Sequence, residues 1–108
     1  MAFSDETIQQ VWNKAKRVGA NAEQKGFRKD ACDAWIQRDR YGDQSSPYGW
    51  QIDHIVPKSK GGGDNLGNLR PLQWENNAAR SDGPLVCVVT SQDNKNVPVR
   101  RAAAGSGW

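Results

Sequence analysis

The opening stretch alternates apolar and polar positions with a helical period. Ile8, Val11, Trp12, Ala15 and Val18 recur on one side until Gly19 interrupts them. Ser4 is placed to cap this helix, and Asp5 and Glu6 fall in its first turn, where carboxylates suit the helix dipole. The pattern predicts an amphipathic packing helix over residues 4–18, with Lys14, Lys16 and Arg17 on a solvated face. Residues 21–29 are polar and read as a connection, and Ala31 to Ile36 as the next apolar stretch, with strand character. A strand ends near Asp53-His54-Ile55, a basic turn and a glycine-rich bend follow (Lys58 to Gly63), and Asn68 to Leu72 forms a second short strand. A short helix runs from Trp74 to Ser81. Gly83-Pro84 then breaks the chain, and Leu85 to Thr90 is a continuous β-branched run expected to be a buried strand. With Val97-Pro98-Val99 it makes a hairpin over 85–101 whose proline belongs at an edge, and residues 102–108 read as a flexible tail. Trp50, Ile52, Leu69, Leu72 and Trp74 fit a core by alternation and helix spacing.

Composition narrows the class. With 108 residues, 36% of them apolar, and five tryptophans, one folded domain is expected over disorder. The formal charge of +3 suits a polyanionic partner without requiring one. No apolar run is long enough to span a bilayer, and the N-terminus lacks the pattern of a secretory signal, so a cytoplasmic location is expected. Cys32 and Cys87 form no Cys-x-x-Cys pair, and two thiols with one histidine do not supply a structural zinc site. In a reduced compartment both read as small buried hydrophobes.

The chemistry concentrates in Asp53-His54, Asn68 and Asn77. The motifs Asp-His-Ile-x-Pro-x-Ser-x-Gly-Gly, Asn-Leu-x-x-Leu and Asn-x-x-Arg-Ser-Asp occur in that order between Gly49 and Gly83. In order and spacing they resemble the HNH endonucleases, a branch of the His-Me finger or ββα-metal nucleases. The resemblance implies an α+β fold: a ββα-metal core over 49–83, flanked by the N-terminal helix and the C-terminal hairpin, in a single nuclease domain over 1–101. It implies that His54 is the general base, that Asn68 supports it across the loop, and that Asp53 and Asn77 hold one divalent ion. The chain then belongs to the variety that ends in Asn.

The residues themselves agree with those roles. His54 is the only histidine, and a neutral imidazole accepts a proton near neutral pH. A carboxylate and an amide oxygen are hard donors that favour Mg²⁺ or Mn²⁺ over zinc. Adjacent strand residues face opposite ways, so Asp53 and His54 share a site only if the strand twists or bulges there. Asn77 is preferred to Asn76 because Arg80, three residues on, shares its helix face; Asn76 is expected to face solvent or cap the helix start. Gly61-Gly62-Gly63 reads as a flexible bend.

Lys58, Lys60, Arg70 and Arg80 are the basic groups around the motif expected to meet DNA phosphates, with Arg28, Lys29, Arg38, Arg40, Arg100 and Arg101 adding charge elsewhere. Phosphate contacts carry no sequence information, so the expected activity is low-specificity nicking of DNA by a monomer or weak dimer, with RNA as a further substrate left open. A catalytically silent nucleic-acid-binding module and a toxin-like domain held by an inhibitor protein are the alternatives.

Overall fold

The structure is a computed structural model and describes residues 3–99. Arg100, Arg101 and the expected tail over 102–108 lie outside the described residues, as does the end of the expected hairpin. Helix α1 spans Asp5–Trp12 and begins as expected, with the Ser4 Oγ accepting from the Thr7 amide at 3.1 Å. It ends a turn and a half earlier than its apolar period. Beyond Trp12 the backbone is drawn off the helix path, because Lys16 and Lys29 exchange N–H···O bonds of 2.8 and 2.9 Å. Ala15 remains buried, but Val18 is exposed, so the last apolar position of the expected stripe never reaches the core. A short helix α2, Ala20–Gln24, occupies part of the stretch read as a connection.

Strands β1, Phe27–Lys29, and β2, Trp35–Gln37, form an antiparallel pair. Residues 31–34, expected to open a strand, instead make a tight turn with Asp30. The Asp30 Oδ1 accepts from the amides of Cys32 and Ala34 at 2.9 and 2.8 Å, and Asp33 has a φ of 61°. Strands β3, Trp50–His54, and β4, Leu69–Gln73, pair antiparallel in unbroken register, and helix α3, Trp74–Arg80, follows directly. Gln73 caps α3, its Oε1 accepting from the amides of Glu75 and Asn76 at 2.8 and 3.2 Å. The last hairpin joins β5, Val89–Gln92, to β6, Lys95–Pro98. Leu85 to Val88 precede β5 as extended chain outside any strand, and Val86 and Val88 are exposed, contrary to the buried run expected there. Among the described residues the strands thus form three separate two-stranded ladders.

The apolar core lies between α1 and the β3–β4 pair. Val11, Ile36, Trp50 and Leu69 are fully enclosed, Ile8, Trp12 and Ile52 join them, and the Trp12 and Trp50 rings meet at 5.3 Å between centroids. Leu72 is buried too, while Trp74 is only partly so and donates its indole N–H to the Ser46 carbonyl at 2.9 Å. No helix among the described residues is long and apolar enough to cross a membrane.

Two further features tie the β1–β2 turn to the segments that follow β4. Cys32 and Cys87 form a disulfide, which replaces the expected pair of reduced thiols. Beside it, Asn76 is completely buried instead of facing solvent. Its Oδ1 accepts from the amides of Val88 and Val89, both at 2.8 Å, and its Nδ2 donates to the Val89 carbonyl and to Asp30. The Asp30 Oδ2 also accepts from the Gln73 amide at 2.8 Å. Asp30 and Asn76 therefore fix the β1–β2 turn, the start of α3 and the entry to β5 around one buried polar centre.

Removing a side chain that satisfies several buried groups costs about 1–3 kcal/mol for each group left without a partner. Asn76→Ala should therefore lower unfolding stability by several kcal/mol in urea titration, and Asn77→Ala, one residue on and half-buried, by far less. Equal losses would show that Asn76 is not the buried anchor.

Candidate active site

Strand β3 presents Gln51 and Asp53 to α3 and carries Ile52 into the core on the other face. Asn77 of α3 donates its Nδ2 to the Gln51 Oε1 at 2.7 Å, which leaves the Asn77 Oδ1 directed away from that bond. Asp53, next but one along the strand, is buried, and its Oδ2 accepts from Arg70 Nε and Arg80 Nη1, each at 2.7 Å. Arg70 stands opposite Asp53 in the β-ladder, and Arg80 reaches it from the end of α3.

Arg80 is itself buried and has no hydrogen to spare for a ligand. Beyond Asp53 it donates to the His54 carbonyl at 2.9 Å, to Ile55 at 3.4 Å, and through Nε and Nη2 to Gly83 at 3.0 and 2.8 Å. The expected phosphate contact by Arg80 is thus not met: sharing a helix face with Asn77 places it inward, against the end of β3. Arg70 is partly exposed, and its Nε is engaged by Asp53. Lys58 and Lys60 are exposed in a short turn beyond Pro57, open to a ligand.

His54 is the last residue of β3, and its side chain takes the face opposite Asp53, as strand alternation requires, with no bulge to bring the two together. Its ring lies 6.0 Å from that of Phe3. The two residues nevertheless border one groove, because the strand ends there. That groove, of about 380 Å³, is lined by Asp53, His54, Lys58, Ser59, Asn77 and Asp82 among others. The Ser59 hydroxyl donates to Asp82 at 3.0 Å, so the loop and the segment after α3 meet over one edge of it.

The imidazole is held by a residue that motif spacing did not single out. His54 Nε2 and Asp64 Oδ1 are 2.7 Å apart, so Nδ1 is the nitrogen left to accept a proton. The His54 bond and the nearby Lys58 ammonium, 3.7 Å away, hold the Asp64 carboxyl below the usual carboxylate range. Asn68 closes the same loop without touching His54. Its Oδ1 accepts from the Val56 amide at 2.8 Å, and its Nδ2 donates to the carbonyls of Val56 and Gly63 at 3.1 and 2.9 Å. The bend at 61–63 is consequently closed and pinned, unlike the flexible bend expected. Gly62 donates to the Pro57 carbonyl at 2.9 Å, and a Cβ there would lie 1.7 Å from the Val56 oxygen, so the fold of this loop requires glycine. The signal for Asp64 was present only as an acidic residue in a turn, and which acid in a loop meets the histidine depends on how the loop closes.

Residues 39–82, which contain β3, the pinned loop, β4, α3 and the whole groove rim, match the family model described as HNH endonuclease. Over this segment the chain is similar to the HNH endonucleases. The family is one of nucleases, so a nuclease-type function is the general class of activity that the match suggests. No curated protein and no solved structure matches the chain.

Asp64 contributes to holding the loop through its ionised form, and its folded pKa is depressed. That contribution is complete above the ordinary carboxylate range and is lost as pH falls through the depressed value. The ring NMR signals of the chain's single histidine should therefore show an additional step at acid pH, below the ordinary carboxylate range. Asp64→Asn should remove that step, and its persistence in the variant would mean that another group holds His54.

Proposed function

We propose that this chain is a divalent-metal-dependent endonuclease that nicks DNA with little sequence preference. The observation that carries the reading is the single groove bordered by Asp53, His54 and Asn77 at the junction of β3 and α3. His54 is the general base: with Nε2 held by Asp64, Nδ1 takes the proton from a water as its oxygen attacks phosphorus. Asn68 acts at one remove, keeping the Val56-to-Gly63 loop closed so that Asp64 stays in reach of the ring.

The donor set fits a hard divalent ion. Asp53 has one oxygen fixed by two guanidinium groups and the other left over, and the Asn77 amide oxygen is free of the bond to Gln51. Two oxygen donors, with water and phosphate completing the shell, suit Mg²⁺ or Mn²⁺. When bound, such an ion neutralises charge on the phosphate and the departing oxygen. Arg70 and Arg80 orient the Asp53 carboxylate, and Lys58 and Lys60 on the groove's rim are the exposed cations that meet phosphates. Contacts of that kind give affinity without base readout, so the substrate is DNA as a polyanion, with RNA as a second polymer to be assayed. One groove per chain fits a monomer that cuts one strand at a time.

The reading of Cys32 and Cys87 as reduced thiols followed from the cytoplasmic location expected from the sequence. Cys32 and Cys87 are instead joined, and bonds of this type persist in oxidising compartments.

Supercoiled plasmid with Mg²⁺ or Mn²⁺ should pass through an open-circular form before any linear product, and EDTA should stop it. His54→Ala should slow cleavage about 100-fold or more. Asn77→Ala and Asp53→Asn should abolish metal-dependent cutting; Asn is the better replacement at 53, since alanine would strand the buried Arg80 charge. Undiminished cleavage by His54→Ala overturns the assignment of the base, full activity without metal overturns the role of Asp53 and Asn77, and direct linearisation would indicate two facing sites.

A further inference from the structure

On the far side of Arg70 from Asp53 lies a second, smaller cleft of about 200 Å³, built where the end of α1's turn, the β1–β2 turn and β4 converge. Lys14, Lys16, Lys29 and Arg70 line it, and the one acid among its lining residues is Asp30. The Asp30 carboxylate does not offset them at the cleft. It is buried, and its two oxygens are already filled by the amides of Cys32, Ala34 and Gln73 and by Asn76 Nδ2.

The cations, by contrast, are only partly neutralised. The Lys14 ammonium donates to the uncharged carbonyls of Leu66, at 2.8 Å, and of Leu69. Lys29 Nζ stands 4.8 Å over the Trp35 ring. Lys16 pairs with Asp33, and that exposed carboxyl is held below its usual range first by the Lys16 hydrogen bond and also by the charge of Lys29. Arg70 shares the single Asp53 carboxylate with Arg80, so the two guanidinium groups and one acid keep a positive surplus. Lys14 and Lys16 after α1, Lys29 of β1 and Arg70 of β4, the last bonded directly to the candidate metal ligand, thus bring four basic residues to the lining of one cleft.

We infer that this cleft binds a backbone phosphate of the nucleic acid away from the one being cut, so that Arg70 joins two phosphate-handling sites across its own guanidinium. The inference rests on the nuclease reading above. Nucleic acid is favoured over an acidic protein because the cleft is small and continuous, through Arg70, with the groove proposed to hold the scissile phosphate. Lys16 and Lys29 act only on affinity, since neither touches the groove's chemistry.

The test is binding of the full chain to a short labelled DNA duplex in EDTA over a series of KCl concentrations, alongside plasmid nicking in Mg²⁺. Each phosphate contact contributes about 0.9 to the slope of log K against log salt. Lys29→Ala and Lys16→Ala should each flatten the slope by up to that amount and raise KM with kcat nearly unchanged. Lys29→Arg should retain the wild-type slope, and Asp33→Asn, which releases Lys16, should tighten binding. Lys95→Ala, on the distant β6, should change nothing, and thermal melts would verify that each variant is folded. Wild-type slopes in both alanine variants of a chain that binds and cuts DNA would overturn the inference alone. A wild-type chain that neither binds nor cuts would overturn the nuclease reading with it. Unchanged DNA binding together with lost binding of a polyglutamate peptide would assign the cleft to an acidic protein and also overturn it.

Discussion

The constraint on which the rest of the site depends is the burial of the Asp53 carboxylate between two arginines. Asp53 belongs to β3, Arg70 to β4 and Arg80 to the last turn of α3, so one carboxylate oxygen fixes the relative positions of all three elements. Desolvating charged groups is unfavourable unless they are paired and hydrogen-bonded, and here the pairing is saturated: Arg80 spends its remaining donors on the carbonyls of His54, Ile55 and Gly83. Bonds to those carbonyls also explain why β3 stops where it does and why the chain turns immediately after α3. With α3 held in this way, Asn77 lies beside Gln51.

A second polar centre, Asp30 with Asn76, performs the same task at the opposite end of α3. It accepts or donates to backbone groups of the β1–β2 turn, of Gln73 and of the β5 entry, and the Cys32–Cys87 bond joins the same two outer segments covalently. A helix of only two turns has little stability of its own. Anchored by Asn76 at its start and Arg80 at its end, α3 is a rigid support for the side chain between them. In a chain this small, where the apolar core is confined to one side of the β3–β4 pair, buried hydrogen bonds and a cross-link supply the order that a larger core would give.

The histidine is held by different means. Its strand position fixes the backbone, but its ring direction depends on a loop that is itself closed by Asn68 and by the close approach of Gly62 to Val56. Asp64 is exposed, so its hold on His54 is open to solvent and to protonation, whereas Asp53 is buried with one oxygen fixed by two arginines at the groove wall. The groove therefore combines a stiff wall, for positioning oxygens, with a wall set by a loop.

Much of this was legible in the sequence. The order of strand, loop, strand and helix, the cap at Ser4 and the core positions Trp50, Ile52, Leu69 and Leu72 follow from periodicity and local signals, whereas the grouping of Asp53, His54 and Asn77 was implied by the resemblance of their motifs to a family. The sequence by itself determined which residues carry the candidate chemistry and in what order they occur. Only the tertiary structure decided the partners of polar side chains. Asn76 and Asn77 are identical in kind and adjacent, and their fates differ because a turn of about 100° on the helix sends one to buried backbone amides and the other to the groove. Arg80 reads as a phosphate ligand until β3 supplies a buried carboxylate; α1 reads as longer until Lys16 finds Lys29; Cys32 and Cys87 read as separate thiols until the fold brings them together. Each of these outcomes depends on a residue distant in sequence, and local pattern carries no information about which distant donor or acceptor will be within reach.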